Sequence, residues 1–216
     1  MRKIDKLEKP EILEKYGKDW LQAYKDDPKN STKKYRYRHS DIKSTLKNET
    51  SDKCVYCESK IGHNTPGDIE HKIPSSKDIN LHFNWENLTI ACTECNRRKN
   101  DYYEQGTEFL DPYKDEVESL IEHRGPIVYW VTGEARAEIS VKILELNSQN
   151  RSQLIFRKIE KIEEIQNILE RKVRETNPAL KIVLLKQLKE MANVSSEYSG
   201  MVASILESKG LTNKDR

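Results

Sequence analysis

Residues 54–101 read CVYCESKIGHNTPGDIEHKIPSSKDINLHFNWENLTIACTECNRRKND, and this stretch decides the fold. It holds all four cysteines of the chain, arranged as two Cys-x-x-Cys pairs, Cys54/Cys57 and Cys92/Cys95. Paired thiolates at this spacing predict a tetrahedral zinc site. A simple zinc ribbon separates its pairs by about 12–20 residues, whereas here 34 residues intervene. The gap must therefore hold folded structure of its own.

Composition favours zinc over the alternative of two disulfides or redox-active pairs. Charged residues make up 34% of the chain and apolar residues 35%, against a usual charged share of roughly 25%. A core this thin is stabilised by structural zinc, whose binding energy of about 10–16 kcal/mol is folding energy. The N-terminus lacks a secretory signal and no apolar run is long enough to span a membrane. We therefore expect a reduced, cytoplasmic protein with no membrane partner.

The net charge of +2 is unevenly distributed. Residues 1–52 carry 14 basic and 10 acidic side chains, residues 53–101 carry 7 and 7, and residues 102–216 carry 17 and 19. Attraction for a polyanion must therefore come mainly from the N-terminal part.

Residues 29–43 (KNSTKKYRYRHSDIK) hold six basic side chains and one acid. They form a candidate basic strip for phosphate contacts, with tyrosines available for base stacking. The alternative is a solvated charged turn that enters a helix capped at Ser40. The candidate nucleic-acid contacts are Lys33, Lys34, Arg36, Arg38, Tyr35 and Tyr37, with Arg97 and Arg98 as a second group that could equally be solvated.

The residues in and after the gap predict a hydrolytic site. Four thiolates close the coordination shell of zinc, so catalysis requires a second, harder ion. Glu70 and Asn96 offer oxygen ligands that suit Mg²⁺ or Mn²⁺. His71 is a candidate general base, although neighbours in a strand point to opposite faces, so the backbone must bend or one of the pair lies outside the site. Lys99 follows Asn96 on one helix face, where it could meet a phosphate oxygen.

A phosphate loop is absent, because Asp68 and Ile69 stand where a Walker A motif needs Lys and Ser/Thr. The local patterns predict strands over residues 68–74 and 87–91 and a helix over 93–103. Residues 127–130 form a strand or buried run. Helical stripes cover residues 139–146, 151–175 and 180–191, as core, subunit interface or a dedicated partner helix.

The predicted class is thus α+β, with a small module of two strands and a helix stapled by a four-cysteine zinc site and embedded in a mostly helical chain. We expect three parts. Residues 1–52 are an N-terminal helical and basic segment, residues 53–104 the zinc-stapled module, and residues 105–216 a mostly helical region that serves as a partner or oligomer interface.

Four segments in order, CVYC, DIEHKIP, NWENL and CTECNRRK, resemble the HNH, or ββα-metal, endonuclease family in its form with two zinc knuckles. The resemblance implies that His71 is the general base and that Glu70 ligates the catalytic metal. It implies that Asn87 buttresses the loop and orients the base, and that Asn96 is a metal ligand in place of a histidine. Glu70 replaces a commoner aspartate, which leaves open whether Asp68 shares or takes over the metal.

A wider similarity covers residues 1–155. The segments MRKI, IEH, DPYKDEVE and ISVKILELNSQNR resemble the HNH nuclease subunit of Septu-type antiphage systems, some of them retron-associated. Lys72-Ile73-Pro74-Ser75 departs from that subgroup. This resemblance implies a separately encoded ATPase partner of the ABC/SMC type.

We expect a metal-dependent endonuclease that hydrolyses phosphodiester bonds in nucleic acid as the effector of such a complex. DNA is favoured as substrate, although no motif separates DNA from RNA. The alternatives are an RNA- or tRNA-directed HNH toxin and a non-catalytic zinc-knuckle subunit that binds nucleic acid.

Overall fold

The computed structural model describes residues 1–62 and 66–211. His63, which lies between the two cysteine pairs in the sequence, is outside the described residues. The N-terminal part holds helices α1 (Glu11–Asp26), α2 (Ser31–Lys34) and α3 (Ser40–Glu49), with a 3-10 turn, Tyr35–Arg38, between the last two. The predicted cap of α3 is wrong by one residue. Ser40 is the first helical residue, and the Nδ1 atom of His39 accepts a hydrogen bond from the Asp41 amide at 3.3 Å.

The cysteine-rich part contains two short strands and a helix. Strands β1 (Asp68–His71) and β2 (Leu88–Ala91) pair antiparallel, with Glu70 opposite Thr89 and His71 opposite Leu88. Helix α4 (Thr93–Lys99) follows directly. Both β1 and α4 are shorter than the sequence predicts. The Asn87 side chain bonds the backbone of Ile73 beyond β1, and Asn100 ends α4 with a φ of 48°.

The C-terminal part is mostly helical and adds one hairpin. Strands β3 (Ile121–Arg124) and β4 (Ile127–Trp130) pair antiparallel. The sequence patterns indicate β4, but they do not reveal its partner β3 or the last helix. The helices of this part are α5 (Val117–Leu120), α6 (Ala135–Ile143), α7 (Ser152–Arg174), α8 (Pro178–Met191) and α9 (Ser199–Ser208).

One hydrophobic core joins all three parts of the chain, and a smaller one ties the C-terminal helices together. The main core includes Leu46 of α3, Leu88 of β2 and Val141 of α6, and also Trp85, whose indole N–H donates to the Leu7 carbonyl at 2.8 Å. The smaller core lies between α7, α8 and α9 and consists of Ile165, Leu188, Val202 and Leu206. The fold is a mixed helix and sheet fold, as predicted. Among the described residues, no helix has the length and apolar content needed to cross a membrane.

Candidate active site and zinc centre

The four cysteines converge on one point. Their Sγ atoms all lie within 4.8 Å of one another, and Cys57 Sγ is 3.8 Å from Cys92 Sγ. A tetrahedron with Zn–S bonds of about 2.3 Å has sulfur–sulfur edges of about 3.8 Å, so the donors fit zinc. Burial raises the pKa of the Cys54 thiol, and a thiolate there therefore needs an adjacent cation, which zinc supplies. No disulfide is formed among them.

Two cations from the C-terminal part face the cysteine cluster. The buried Arg151 donates to Cys95 Sγ at 3.3 Å and to the Leu144 carbonyl at 3.0 Å. Burial opposes the charge of Arg151, but the cysteine sulfurs outweigh burial and raise its pKa. Lys158 is also buried, and it donates to the Pro126 carbonyl at 3.1 Å. A zinc ion with four thiolates carries a net double negative charge, which these two side chains offset.

Glu70 lies in a buried ion pair. Its carboxylate contacts the ammonium of Lys99, which also donates to the His71 carbonyl at 2.8 Å. Burial raises the pKa of Glu70, the Lys99 charge opposes this, and the nearby Asp68 carboxylate raises the pKa further. The Glu70 oxygen in this ion pair is Oε1. The neighbouring carboxylates of Glu70 and Asp68 are oxygen donors of the kind that hard divalent ions take.

The remaining candidates near Glu70 differ in how accessible they are. Asn96, in the middle turn of α4, is partly exposed. Lys99 is only 1% exposed, so it does not reach a phosphate at the surface as the sequence suggests. Within the described residues, only the cysteines form a cluster of three or more His, Cys, Asp or Glu ligands. A hard ion at Glu70 would take much of its coordination from water and substrate, as Mg²⁺ commonly does.

The side chain of His71 points to the face of β1 opposite to that of Glu70, and its imidazole is in one defined tautomer. Its Nε2 atom is 2.9 Å from the His82 carbonyl. A carbonyl only accepts, so Nε2 carries the proton and the lone pair lies on Nδ1. Burial, followed by the nearby His82 and Lys99, lowers the pKa of His71 to about 3. The imidazole is therefore neutral at neutral pH. Among the described residues, Nδ1 has no hydrogen-bond partner.

Asn87 connects the two ends of the loop that follows β1. Its amide nitrogen donates to the Ile73 carbonyl at 2.9 Å and to the Leu81 carbonyl at 3.2 Å. Its carbonyl oxygen accepts from the Ile73 amide at 2.8 Å. These bonds brace the loop between His71 and His82, and they reach the base only through the backbone.

The basic strip lies against His71, but its side chains are used in different ways. Lys33 pairs with Asp27 at 3.3 Å. Arg38 stacks over the half-exposed ring of Tyr35, with 4.3 Å from Cζ to the centroid. Tyr37 is buried against the imidazoles of His71 and His82, so it is not available for base stacking. Lys34 and Arg36 are partly exposed.

Arg97 and Arg98 also separate into two roles. Arg98 is a structural tie with a side chain only 9% exposed, and it pairs with Glu94 at 3.3 Å and Glu145 at 2.5 Å. Arg97 is exposed and pairs with Glu94. It lines a groove of about 1020 Å³ beside the zinc centre, together with Lys47, Lys60 and Arg157.

Sequence reasoning overlooked two residues of this site. His82 is not among the site residues that the sequence predicts. It is 1% exposed, and its ring stacks on that of His71. The only sequence signal is its place in an aromatic run, His82-Phe83-x-Trp85. Arg151 carried no signal, because its contact with Cys95 spans 56 residues.

The two strands, the helix, the zinc-type cysteine cluster and the Glu-His pair together define an HNH endonuclease domain. Residues 54–102 match the model of the HNH endonuclease family. This part of the chain is thus the domain of a nuclease, which hydrolyses phosphodiester bonds.

Beyond that domain, the chain is similar to Septu protein PtuB from Bacillus thuringiensis, with 28% identity over 179 residues that cover 76% of this chain and 68% of that protein. It is also similar to Septu protein PtuB from Bacillus mycoides, with 25% identity over 202 residues that cover 79% of this chain and 66% of that protein. The chain thus spans about two thirds of the length of these relatives.

The zinc centre predicts the effect of losing one ligand. Cys92→Ser should lose zinc and lower the free energy of unfolding by several kcal/mol, because zinc binding supplies folding energy. Metal content and thermal unfolding measure this, with the adjacent exposed Thr93→Ala as control. A Cys92→Ser protein that keeps its zinc and its unfolding temperature would contradict the assignment.

The contact of Arg151 with Cys95 predicts a second effect. Arg151→Leu should release zinc to a chelator about 10–100-fold more readily, since groups that hydrogen-bond metal ligands commonly contribute this much to metal affinity. Arg157→Leu is the matched control, because Arg157 is exposed on helix α7, which begins directly after Arg151. Equal rates of zinc release from the two variants would show that Arg151 does not support the metal site.

Proposed function

We propose that this chain is a metal-dependent HNH endonuclease that cleaves nucleic acid, with DNA favoured, as the effector of a Septu-type antiphage complex in the cytoplasm. Residues 53–104 are the catalytic unit, residues 1–52 contribute to substrate binding, and residues 105–216 carry the partner interface. The observation that carries the proposal is the fixed tautomer of His71, whose Nδ1 is left without a partner among the described residues, directly after the carboxylate residue Glu70.

His71 is the general base in this proposal. Because Nε2 donates to the His82 carbonyl, Nδ1 can take the proton of an attacking water. The ring is neutral in the free protein and so is ready to accept that proton. A bound phosphate brings negative charge beside the imidazole and raises its basicity.

Glu70, Asn96 and Asp68 would hold the catalytic Mg²⁺ or Mn²⁺. When bound, this ion neutralises charge on the phosphate and the leaving oxygen. Lys99 has a different role from the phosphate contact that the sequence suggests. Its ammonium contacts Glu70 and bonds the His71 carbonyl, so it fixes the relative position of the metal ligand and the base.

Substrate phosphates would bind along the basic strip. Lys34 and Arg36 are partly exposed, and Arg38 is exposed on the ring of Tyr35. The strip lies next to His71 through Tyr37, so a backbone bound there passes close to the base. Arg97 and the groove beside the zinc centre offer a second contact region.

Substitution of the base tests this function. His71→Ala removes the group that accepts the proton but no zinc ligand, so cleavage should fall by about 10²–10⁴-fold. The variant should keep its zinc and its binding of nucleic acid. Nicking of duplex DNA and of RNA, with Mg²⁺ and with EDTA, measures the effect, and Glu86→Ala on the adjacent surface is the control.

The outcomes separate the possible functions. Cleavage of RNA but not DNA by the natural protein would identify an RNA-directed nuclease. Nucleic-acid binding without any metal-dependent cleavage would identify a binding subunit. Near-normal cleavage by folded His71→Ala would place the base elsewhere.

The partner is proposed to be a separately encoded ATPase of the ABC/SMC type. The chain has no phosphate loop of its own and is similar to Septu proteins. The outer half of the α7–α8 hairpin also exposes apolar side chains, with Val173 81%, Ile182 68% and Val183 58% exposed. Exposed apolar patches of this kind commonly mark protein interfaces.

The exposed apolar side chains of helices α7 and α8 lead to a prediction about the partner interface. Ile182→Asp combined with Val183→Asp should abolish co-purification with the proposed ATPase partner, because charged side chains replace the apolar contact surface. Gln187→Asp, an exposed position of the same helix, should not. If the protein does not bind the ATPase in a pull-down and cleaves nucleic acid without it, the subunit hypothesis is excluded.

A further inference from the structure

His82 contacts the proposed base, and the inference drawn from it rests on the function proposed for His71. The two imidazole rings are stacked, with centroids 4.7 Å apart and an angle of 11° between their planes. The His82 backbone carbonyl also accepts the hydrogen bond from His71 Nε2. One residue therefore contacts the base through its main chain and its side chain.

Both ring nitrogens of His82 are engaged. Nε2 donates to the Lys34 carbonyl at 2.7 Å, so Nδ1 carries the lone pair. The Ser75 hydroxyl, at 2.5 Å, is the donor to that nitrogen. These bonds fix the orientation of a ring that is 1% exposed. Because Lys34 ends α2, the bond also ties the loop to the basic strip.

Further aromatic rings pack against this pair. Tyr37 presents its ring at near right angles to both imidazoles, at 4.7 Å from His71 and 5.0 Å from His82. Tyr24 and Phe83 contact His82, at 4.5 Å and 4.7 Å. Neither imidazole can turn without displacing a ring of the N-terminal segment or of the loop.

We propose that His82 is a positioning residue that fixes the ring and tautomer of His71 and joins them to the basic strip. The segment that binds the phosphates then also determines the position of the base. Displacement of a reacting group by about 1 Å can reduce a rate by about 10²-fold, so loss of this support acts on the chemical step. A histidine that only fills the core would affect stability and leave the chemical step of the folded protein unchanged.

Three substitutions of His82 separate its contributions. His82→Leu removes both hydrogen bonds and the stacked ring. His82→Gln offers an amide that can donate to Lys34 and accept from Ser75. His82→Phe retains a ring against His71 but leaves the Lys34 carbonyl and the Ser75 hydroxyl without their partner.

The measurements are kcat and KM for cleavage of duplex DNA with Mg²⁺, the Kd for the same DNA without Mg²⁺, and the tautomer of His71 by ¹⁵N NMR. His82→Leu should lower kcat about 10–100-fold, with KM and Kd nearly unchanged. His71 should keep its Nε2–H form, because its acceptor is the main-chain carbonyl of residue 82, which leucine retains. His82→Gln should recover part of the rate. Replacement of Lys33, Lys34, Arg36 and Arg38 by Ala should instead raise Kd and flatten its salt dependence.

A folded His82→Leu protein with normal kcat would overturn the inference. If that variant does not fold, Tyr37→Leu tests the same support from the strip side and should lower kcat without raising Kd. If the single variants Tyr37→Leu and His82→Phe both had the wild-type kcat, the inference would also be overturned. Full activity of His71→Ala would instead show that His71 is not the base, and the premise of this inference would then fail while the nuclease activity itself stands.

Discussion

The shared thiolate cluster links segments that are far apart in the chain. Cys54 and Cys57 follow α3, whereas Cys92 and Cys95 begin α4, so one metal site joins the end of the N-terminal part to the helix that carries Asn96 and Lys99. Strand β2 leads directly into this helix and holds β1 in register. The positions of Glu70 and His71 therefore depend on the sulfur cluster. The net negative charge of that cluster in turn attracts Arg151 and Lys158 from the C-terminal part.

Glu70 and His71 are neighbours in β1, so their side chains point to opposite faces of the strand. A single lysine nevertheless holds the two residues in a fixed relation. Glu70 contacts Lys99, while the ring of His71 packs against His82 and Tyr37. Lys99 pairs with the carboxylate and also donates to the carbonyl of His71. The two neighbours can thus occupy different surroundings and still be held in a fixed relation. From the sequence we expected a bend in the backbone or the exclusion of one of the two residues from the site. The buried ion pair between Glu70 and Lys99 was not predicted.

Local patterns predicted the parts of the fold that are encoded within a few residues. The cysteine spacing indicated the zinc-type cluster, and the run from Asn87 to Lys99 indicated β2 and α4. The C-terminal stripes indicated α7 and α8, with a break between residues 175 and 180. Long-range features were not foreseen. Strand β3 has polar, weakly alternating residues, and Arg98 pairs with Glu145 in a helix-terminal segment 47 positions away.

The misjudged site residues share a physical cause. Tyr37 and Lys99 carry groups that suit nucleic acid, and at the sequence level nothing distinguishes an exposed tyrosine or lysine from a buried one. Their roles depend on which neighbours remove them from solvent. His82 was underestimated for the same reason, because its partners Lys34 and Ser75 belong to different segments.

Main-chain carbonyls provide much of the support around His71. They belong to His82, to Lys34 and to His71 itself, and each accepts one of the bonds that hold the site. A carbonyl is supplied by any amino acid, so drift of the side chain at position 34 leaves that bond intact. The spacing of the backbone is the strict requirement. Homologous chains can therefore diverge in side chains around this site, whereas an insertion or deletion between residues 71 and 82, or next to residue 34, would displace the acceptors and inactivate the enzyme.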